Sequence, residues 1–200
     1  MTRIDGVSSK QAGPLVRLVY RLSRRRLGRD VDPIAVYAHA PSLLLGYGML
    51  EQATAMQNRV DERLKALAVT KAAAIVTCEF CCDIASSLAL EAGITERQLL
   101  ALPEYADSPE FSTLERLVLD YTSAISRTPT GVTDELVVAL RVHFDERQLV
   151  ELTHVIALEN MRARFNSAFD MTPAEFTEGL VCAVPERLSE PSHLQATTAA

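Results

Sequence analysis

Three of the four cysteines in this 200-residue chain fall within "TCEFCCDIASS", residues 77–87. Cys78 and Cys81 form a C-x-x-C pair, and Cys82 follows directly. On a helix that begins near Cys78, residues three and four apart are neighbours, which puts Cys78, Cys81, Cys82 and Ala85 on one face. Cys78 then lies in the first turn, where unpaired backbone N–H groups and the positive end of the helix dipole favour thiolate over thiol. Because the thiolate is the nucleophile, this spacing points to dithiol redox chemistry. Two other readings compete. Adjacent Cys81 and Cys82 do not readily turn toward one metal ion, and no second C-x-x-C or H-x-x-x-H completes a tetrahedral set. Neither a metal nor another cofactor is therefore expected. Free cysteines also fill cores, where they behave as small apolar residues.

Thiol catalysis needs supporting groups, and the sequence offers several. Glu79, Asp83 and Ser86 share a helix face turned away from the sulfurs, and form either a proton relay or a solvated polar face. Leu67, Lys71, Ile75 and Cys78 follow one helical stripe, and a cation near a thiol lowers its pKa. The alternative is a lysine paired elsewhere, its stem lying along apolar surface. Farther along, His154, Glu159, Asn160, Arg162 and Arg164 interrupt an apolar run, so they must pair between helices or subunits. His154 is a candidate base reaching the thiols through space; His39, just before Ala40-Pro41, is a weaker one.

These groups need a scaffold, and the composition supplies an ordinary globular one. At 48% hydrophobic and 23% charged residues, a chain of this length buries a core without disulfide or metal staples. The net charge of −6 and a pI near 5.3 argue against nucleic-acid binding. The arginine-rich stretch "RLVYRLSRRRLGR", residues 17–29, fits a surface helix meeting solvent or the acidic groups of another subunit. No secretory signal is visible, and no run reaches ~18 apolar residues; "ALAVTKAAAIVT" is broken by Lys71. The expectation is a cytoplasmic protein that binds neither membrane nor nucleic acid, where C-x-x-C is catalytic or metal-binding before it is structural.

Helix punctuation is dense and strand signals are scarce, so the chain is expected to be all-α. Helices are predicted over about Gln11 to Leu27, stopping at Gly28, over Asp32 to Ala38, and after Pro41. Asp61 is the N-cap of the next, and the cysteine helix ends at Gly93. "TERQ" and the Asp-x-x-Gln at Asp145 are capping boxes for a short and a long helix. Pro109 is expected at the first position of a helix running to about Ser126, "TDELVVALRVHF" as a short helix, and Thr172-Pro173 as the cap of a last one. Three regions follow: a basic helical arm, 1–32; a helical domain, 33–184; and a loose tail, 185–200.

The run "DERLKALAVTKAAAIVTCEFCCDIASSLALEAGITERQLLAL", together with "FSTLERLVLDYTSAIS" and "ELTHVIALENMRARFN", resembles the carboxymuconolactone decarboxylase-like proteins, which include the alkylhydroperoxidase D (AhpD) type. The likeness covers roughly residues 35–170. It implies an AhpD-like helical domain with a C-x-x-C helix, assembled into symmetric homo-oligomers. Redox-active members of that family reduce hydroperoxides, and an external dithiol partner regenerates them. Carried over, Cys81 attacks the peroxide and becomes a sulfenic acid, and Cys78 condenses with it to a disulfide; the Cys81 thiol pKa is then expected to lie below that of free cysteine. Cys82 has no counterpart in the pattern and is expected to be filler. Two departures bear on this reading. The family's histidine after C-x-x-C is Ala85, and its glutamate twelve residues before the first cysteine is Ala66. "C-D-I-x-S" resembles a branch that lacks the histidine, with Asp83 and Ser86 as a different relay. The alternatives are a lyase acting on a carboxylactone, which needs a histidine-bearing anionic pocket, and a non-catalytic oligomer that binds a partner or senses thiol oxidation.

Overall fold

The computed structural model describes residues 2–29, 31–177, 179 and 181–186, and all its regular elements are helical. They are α1 (Pro14–Leu27), α2 (Asp32–Tyr37), α3 (Pro41–Ala55), α4 (Glu62–Ile75), α5 (Glu79–Glu91), α6 (Glu96–Ala101) with a following 3-10 turn, α7 (Thr113–Ser126), α8 (Asp134–Arg141) and α9 (Glu146–Ala168). The expected all-α architecture is found.

Local chemistry starts and stops most of these helices. The Asp61 carboxylate accepts from the Arg63 N–H to open α4, and reciprocal capping boxes open α6 at Thr95, α7 at Ser112 and α9 at Asp145. Gly28 and Gly93, with φ of 75° and 85°, take the left-handed conformation that follows α1 and α5. α7 begins later than its Pro109 signal, because the Ser112–Glu115 box satisfies the orphan N–H groups there.

α4 is the central helix, with α5, α7 and α9 packed around it. Its alanines make this possible: Ala68, Ala72, Ala73 and Ala74 are fully buried and let three neighbours approach the backbone closely. Between α4, α7, α8 and α9 lies one core, with Val118, Leu140, Leu152 and Ile156 at its centre. Another joins α4, α5, α6 and α7 through Leu67, Leu99, Leu102 and Leu119. The basic N-terminal arm lies on the molecule: Ala12 and Val16 pack against Ala38 and Leu44, and the Arg3 N–H donates to the Phe169 carbonyl at 2.8 Å.

After α9 the described residues are irregular, with no helix at Thr172-Pro173. Tertiary bonds take the backbone groups that a helix would have used. The Asp83 carboxylate, itself buried, accepts from the backbone N–H groups of Ala174, Phe176 and Thr177 at 3.0–3.1 Å, and from the Thr177 hydroxyl. Ser86 Oγ accepts from the Ala183 N–H at 2.9 Å, and the Glu186 N–H donates to the Ala74 carbonyl at 2.8 Å. The loose tail was expected from residue 185. Pro185 and Glu186 are held in this segment, and residues 187–200 lie outside the described residues.

Candidate functional site

The thiols sit where two helices meet. α4 ends at Ile75, and Thr77 adopts a left-handed φ of 59° that turns the chain into α5. For a β-branched residue that conformation costs about 1–3 kcal/mol, and it is sustained only where the surroundings fix it. The turn breaks the helical stripe expected to run from Leu67 through Lys71 to Cys78. It also makes Cys78 the N-cap of α5 rather than a residue inside its first turn.

That position sets the chemistry of the pair. Cys78 Sγ accepts from the Cys81 backbone N–H at 3.2 Å. The neighbouring Cys81 thiol and, to a smaller degree, the Ser167 hydroxyl favour ionisation of the same sulfur. Together these donors hold the Cys78 thiol below its ordinary range despite burial. The Cys81 thiol is pushed up, because it donates to Cys78, is desolvated and feels the charge of Glu159. The more acidic thiol is therefore Cys78, opposite to the assignment carried over from the resemblance. The neighbouring Cys81 thiol contributes most, and helix-start geometry adds to it: an N-cap side chain takes a backbone N–H, whereas the fourth residue's side chain has none to take.

Cys81 has its own surroundings. Asn166 Nδ2 donates to Cys81 Sγ at 3.2 Å. Glu159 of α9 is only 3% exposed, and its charge opposes ionisation of the same thiol. Burial raises the Glu159 pKa, and Arg162 opposes the shift from 3.0 Å. Arg162 also holds Glu51 of α3 in a bidentate pair, at 2.8 and 2.6 Å, and its Nε donates to the Tyr47 hydroxyl at 3.2 Å. Cys78, Cys81 and Cys82 are each at most 3% exposed. Val31, Val36, Phe80 and Met171 share their cluster, with Phe169 and Phe176 packed against it, so α2 and the C-terminal segment roof the site.

The other sequence candidates go elsewhere. Lys71 donates to the Leu102 carbonyl at 3.0 Å, pairs with Glu186 and lies 4.5 Å from the Tyr105 ring centroid, so its charge is directed away from the sulfurs. Asp83 and Ser86 are not turned to the thiols but anchor the C-terminal segment, and Glu79 is exposed at the start of α5. His154 Nε2 is bonded to Thr54 Oγ1 at 2.7 Å, and His39 Nε2 to the Asp5 carbonyl at 2.8 Å. Cys82 is buried in the cluster, and Cys182 lies against Ser86 Oγ at 3.6 Å. Among the described residues no cluster of side chains could hold a metal ion. Arg164, expected to be paired, donates to Asn160 at 2.6 Å. Glu159 was visible in the sequence as a charge in an apolar run, but its influence on Cys81 was not. Asn166 and Ser167 carried no such signal.

Comparison with known proteins agrees with this architecture. The Carboxymuconolactone decarboxylase family model matches residues 43–124, a span that includes the cysteine helix. The uncharacterized protein YnjA of Escherichia coli K12 is 38% identical over 172 residues, covering 84% of this chain and 90% of its own length. This chain belongs to the carboxymuconolactone decarboxylase family. Among solved structures, the debrominase Bmp8 in its apo form superposes with a TM-score of 0.77 at 20% identity, over 89% of this chain and 95% of its own. An uncharacterized peroxidase-related protein from Ralstonia eutropha JMP134, described as an alkylhydroperoxidase AhpD core, gives 0.76 at 17% identity, over 92% and 98%. At such identities the likeness is one of fold, and the fold is AhpD-like.

Proposed function

We propose that this family member is a dithiol oxidoreductase that reduces hydroperoxides through Cys78 and Cys81, with an external dithiol partner returning it to the reduced state. The observation that carries the reading is the Cys78 sulfur at a helix N-cap, accepting the Cys81 N–H with a second thiol beside it. A thiolate so placed attacks the terminal peroxide oxygen. The O–O bond breaks, the alkoxide takes a proton and leaves as alcohol, and Cys78 becomes a sulfenic acid. The Cys81 sulfur then attacks Cys78 Sγ, the S–O bond breaks, and hydroxide leaves as water. Two thiols and one hydroperoxide become one disulfide, one alcohol and one water. An external dithiol donates two electrons and two protons to restore the pair.

The roles are reversed from those the resemblance implied. Cys78 starts the chemistry because it holds the thiolate, and Cys81 resolves it. A lyase acting on a carboxylactone would call on a histidine, and both His154 and His39 are engaged away from the thiols. The test uses single variants with cumene hydroperoxide and a sulfenic-acid trap. Cys81→Ser should reduce one equivalent of peroxide and accumulate trapped sulfenic acid at Cys78. Cys78→Ser should react at least 100-fold more slowly, since little thiolate remains at neutral pH. Equal peroxide consumption by both variants would refute the reading.

A further inference from the structure

Resting on that reading, we infer that residues 171–177 are a lid over the dithiol, clasped shut by Arg29, whose opening admits both the hydroperoxide and the reducing partner. Neither can touch the sulfurs while the lid is closed, since Cys78, Cys81 and Cys82 are each at most 3% exposed. Two elements cover them: α2, through Val36 with Val31 just before it, and the run after α9, through Met171, Ala174 and Phe176. Part of that cover has to move if the pair is to be oxidised and reduced in turn.

α2 is the fixed half. It is a regular helix, and its Ala35 carbonyl accepts from the Val7 N–H at 2.9 Å. Its Tyr37 ring stacks on Phe165 at 4.0 Å and on Tyr47 at 5.0 Å. Residues 171–177 are irregular, and side chains from elsewhere hold them. Asp83 bonds to the backbone N–H groups of Ala174, Phe176 and Thr177 from α5. Arg29 fastens the same run from the α1–α2 connection: its guanidinium donates to the Ala174 carbonyl and lies 5.1 Å from the Phe176 ring centroid. That ring in turn meets Phe80, the residue before Cys81, edge-on at 6.3 Å. The last arginine of the basic stretch thus closes the site of its own chain.

The lid also contains strained backbone. Asp170 and Glu175 have φ of 55° and 57°, a left-handed conformation that residues other than glycine adopt at a cost. Asp170 follows a fixed point, because Arg3 bonds to the Phe169 carbonyl at 2.8 Å and to the Ala168 carbonyl at 2.9 Å. It is the hinge position, where a change of φ swings the residues beyond it. Opening gives up the Arg29 and Asp83 contacts and relieves the strain, so these two terms set the open fraction.

The experiment follows alkylation of each cysteine by iodoacetamide with mass spectrometry, beside oxidation by cumene hydroperoxide, in wild type, Arg29→Ala and Glu175→Gly. Where opening is a rapid pre-equilibrium, both rates are proportional to the open fraction. Arg29→Ala removes a charge-assisted hydrogen bond and a ring contact, and should speed both reactions at Cys78 about tenfold. The pH inflection of Cys78 should stay where it is. Glycine takes the left-handed conformation freely, so Glu175→Gly, at an exposed position, should slow both about threefold. Cys182 is the internal reference, since its segment has separate ties: the Ala183 N–H to Ser86 Oγ at 2.9 Å and the Glu186 N–H to the Ala74 carbonyl at 2.8 Å. Opposite shifts at Cys78 in the two variants, with Cys182 unchanged, are the expected result. The lid is overturned if Arg29→Ala leaves Cys78 alkylation at the wild-type rate, or if Cys182 accelerates by the same factor, which is general loosening. Should the alkylation pattern hold while every form is inert to hydroperoxide, the peroxide reading fails and the lid stands.

Discussion

Asn166 donates an N–H to a buried sulfur that must become an anion in mid-reaction, so its contribution is greatest in the resolving step. Asn166→Ala should slow disulfide closure by about tenfold, the rate equivalent of one hydrogen bond to a charged atom. Oxidation of Cys78 should be nearly unchanged, and quenched-flow mass spectrometry separates the two steps. The spacing of Cys78 and Cys81 was legible in the sequence because an i, i+3 relation is a property of the helix alone. The place of Cys78 at the helix start already favoured its ionisation, but its role as the cap was not legible. It depends on Thr77 turning left-handed and making Cys78 a cap, an event of backbone geometry that no residue type announces. Lys71 shows the converse. A lysine in an alanine-rich helix must find a partner, but that partner is Glu186, brought from the far end of the chain.

At the scale of elements, the C-terminal segment is the roof of the site, and Asp83 is its principal anchor. Replacing Asp83 by Ala would leave three backbone N–H groups without their acceptor, each orphan costing about 1–3 kcal/mol where it stays buried. The expected outcome is a melting temperature lower by several degrees, since about 1 kcal/mol moves a protein of this size by 2–4 °C. Alkylation of buried Cys82 should accelerate at the same time. Unchanged Cys82 reactivity in Asp83→Ala would show that something else covers it. Local signals had fixed the openings of α4, α6 and α9, because Asp61, Thr95 and Asp145 bond to N–H groups two or three residues away. The helix expected at Thr172-Pro173 carried equally good local punctuation. It is not formed: Glu175 takes a left-handed φ of 57°, and Asp83, distant in sequence, takes the Phe176 and Thr177 N–H groups that a helix would bond internally.

For the whole molecule, the outer surfaces of α1 and α3 carry several exposed apolar side chains. Leu15, Leu18 and Leu22 follow one face of α1, and Leu43, Met49 and Met56 lie along α3 at 62%, 75% and 70% exposure. Gly46 and Gly48, in the middle of α3, have nothing within 4 Å of where a Cβ would lie. Helical glycines carry a cost of about 0.5–1 kcal/mol each, which close approach by another backbone would explain. A homo-oligomer built on these helices is the expected state: light scattering should report a multiple of the 21.9 kDa chain mass, and Met49→Glu should lower it. A monomer at micromolar concentration contradicts this. No helix among the described residues is long and apolar enough to cross a membrane.

Acid stability is also a property of the whole molecule. Burial opposes ionisation of Glu115 and Glu151, yet both are held below the usual carboxylate range. Ser112 and Arg63 bond to the first, and Lys65 with the Arg59 and Val60 N–H groups to the second. A lowered folded pKa gives stability that is complete above the unfolded value, about 4.3 for glutamate, and is lost as pH falls through the folded value. Melting temperature should therefore drop steeply below about pH 4.3, with a shallower fall in Glu151→Gln.

The account rests on where the negative charge of the resting dithiol resides. Residue-resolved alkylation of the reduced protein with iodoacetamide, followed against pH by mass spectrometry, measures this directly. Cys78 should be modified first, with an inflection below the ~8.5 of an ordinary cysteine, while Cys81 stays protected. Modification of Cys81 ahead of Cys78, or a Cys78 inflection at or above that value, would contradict it.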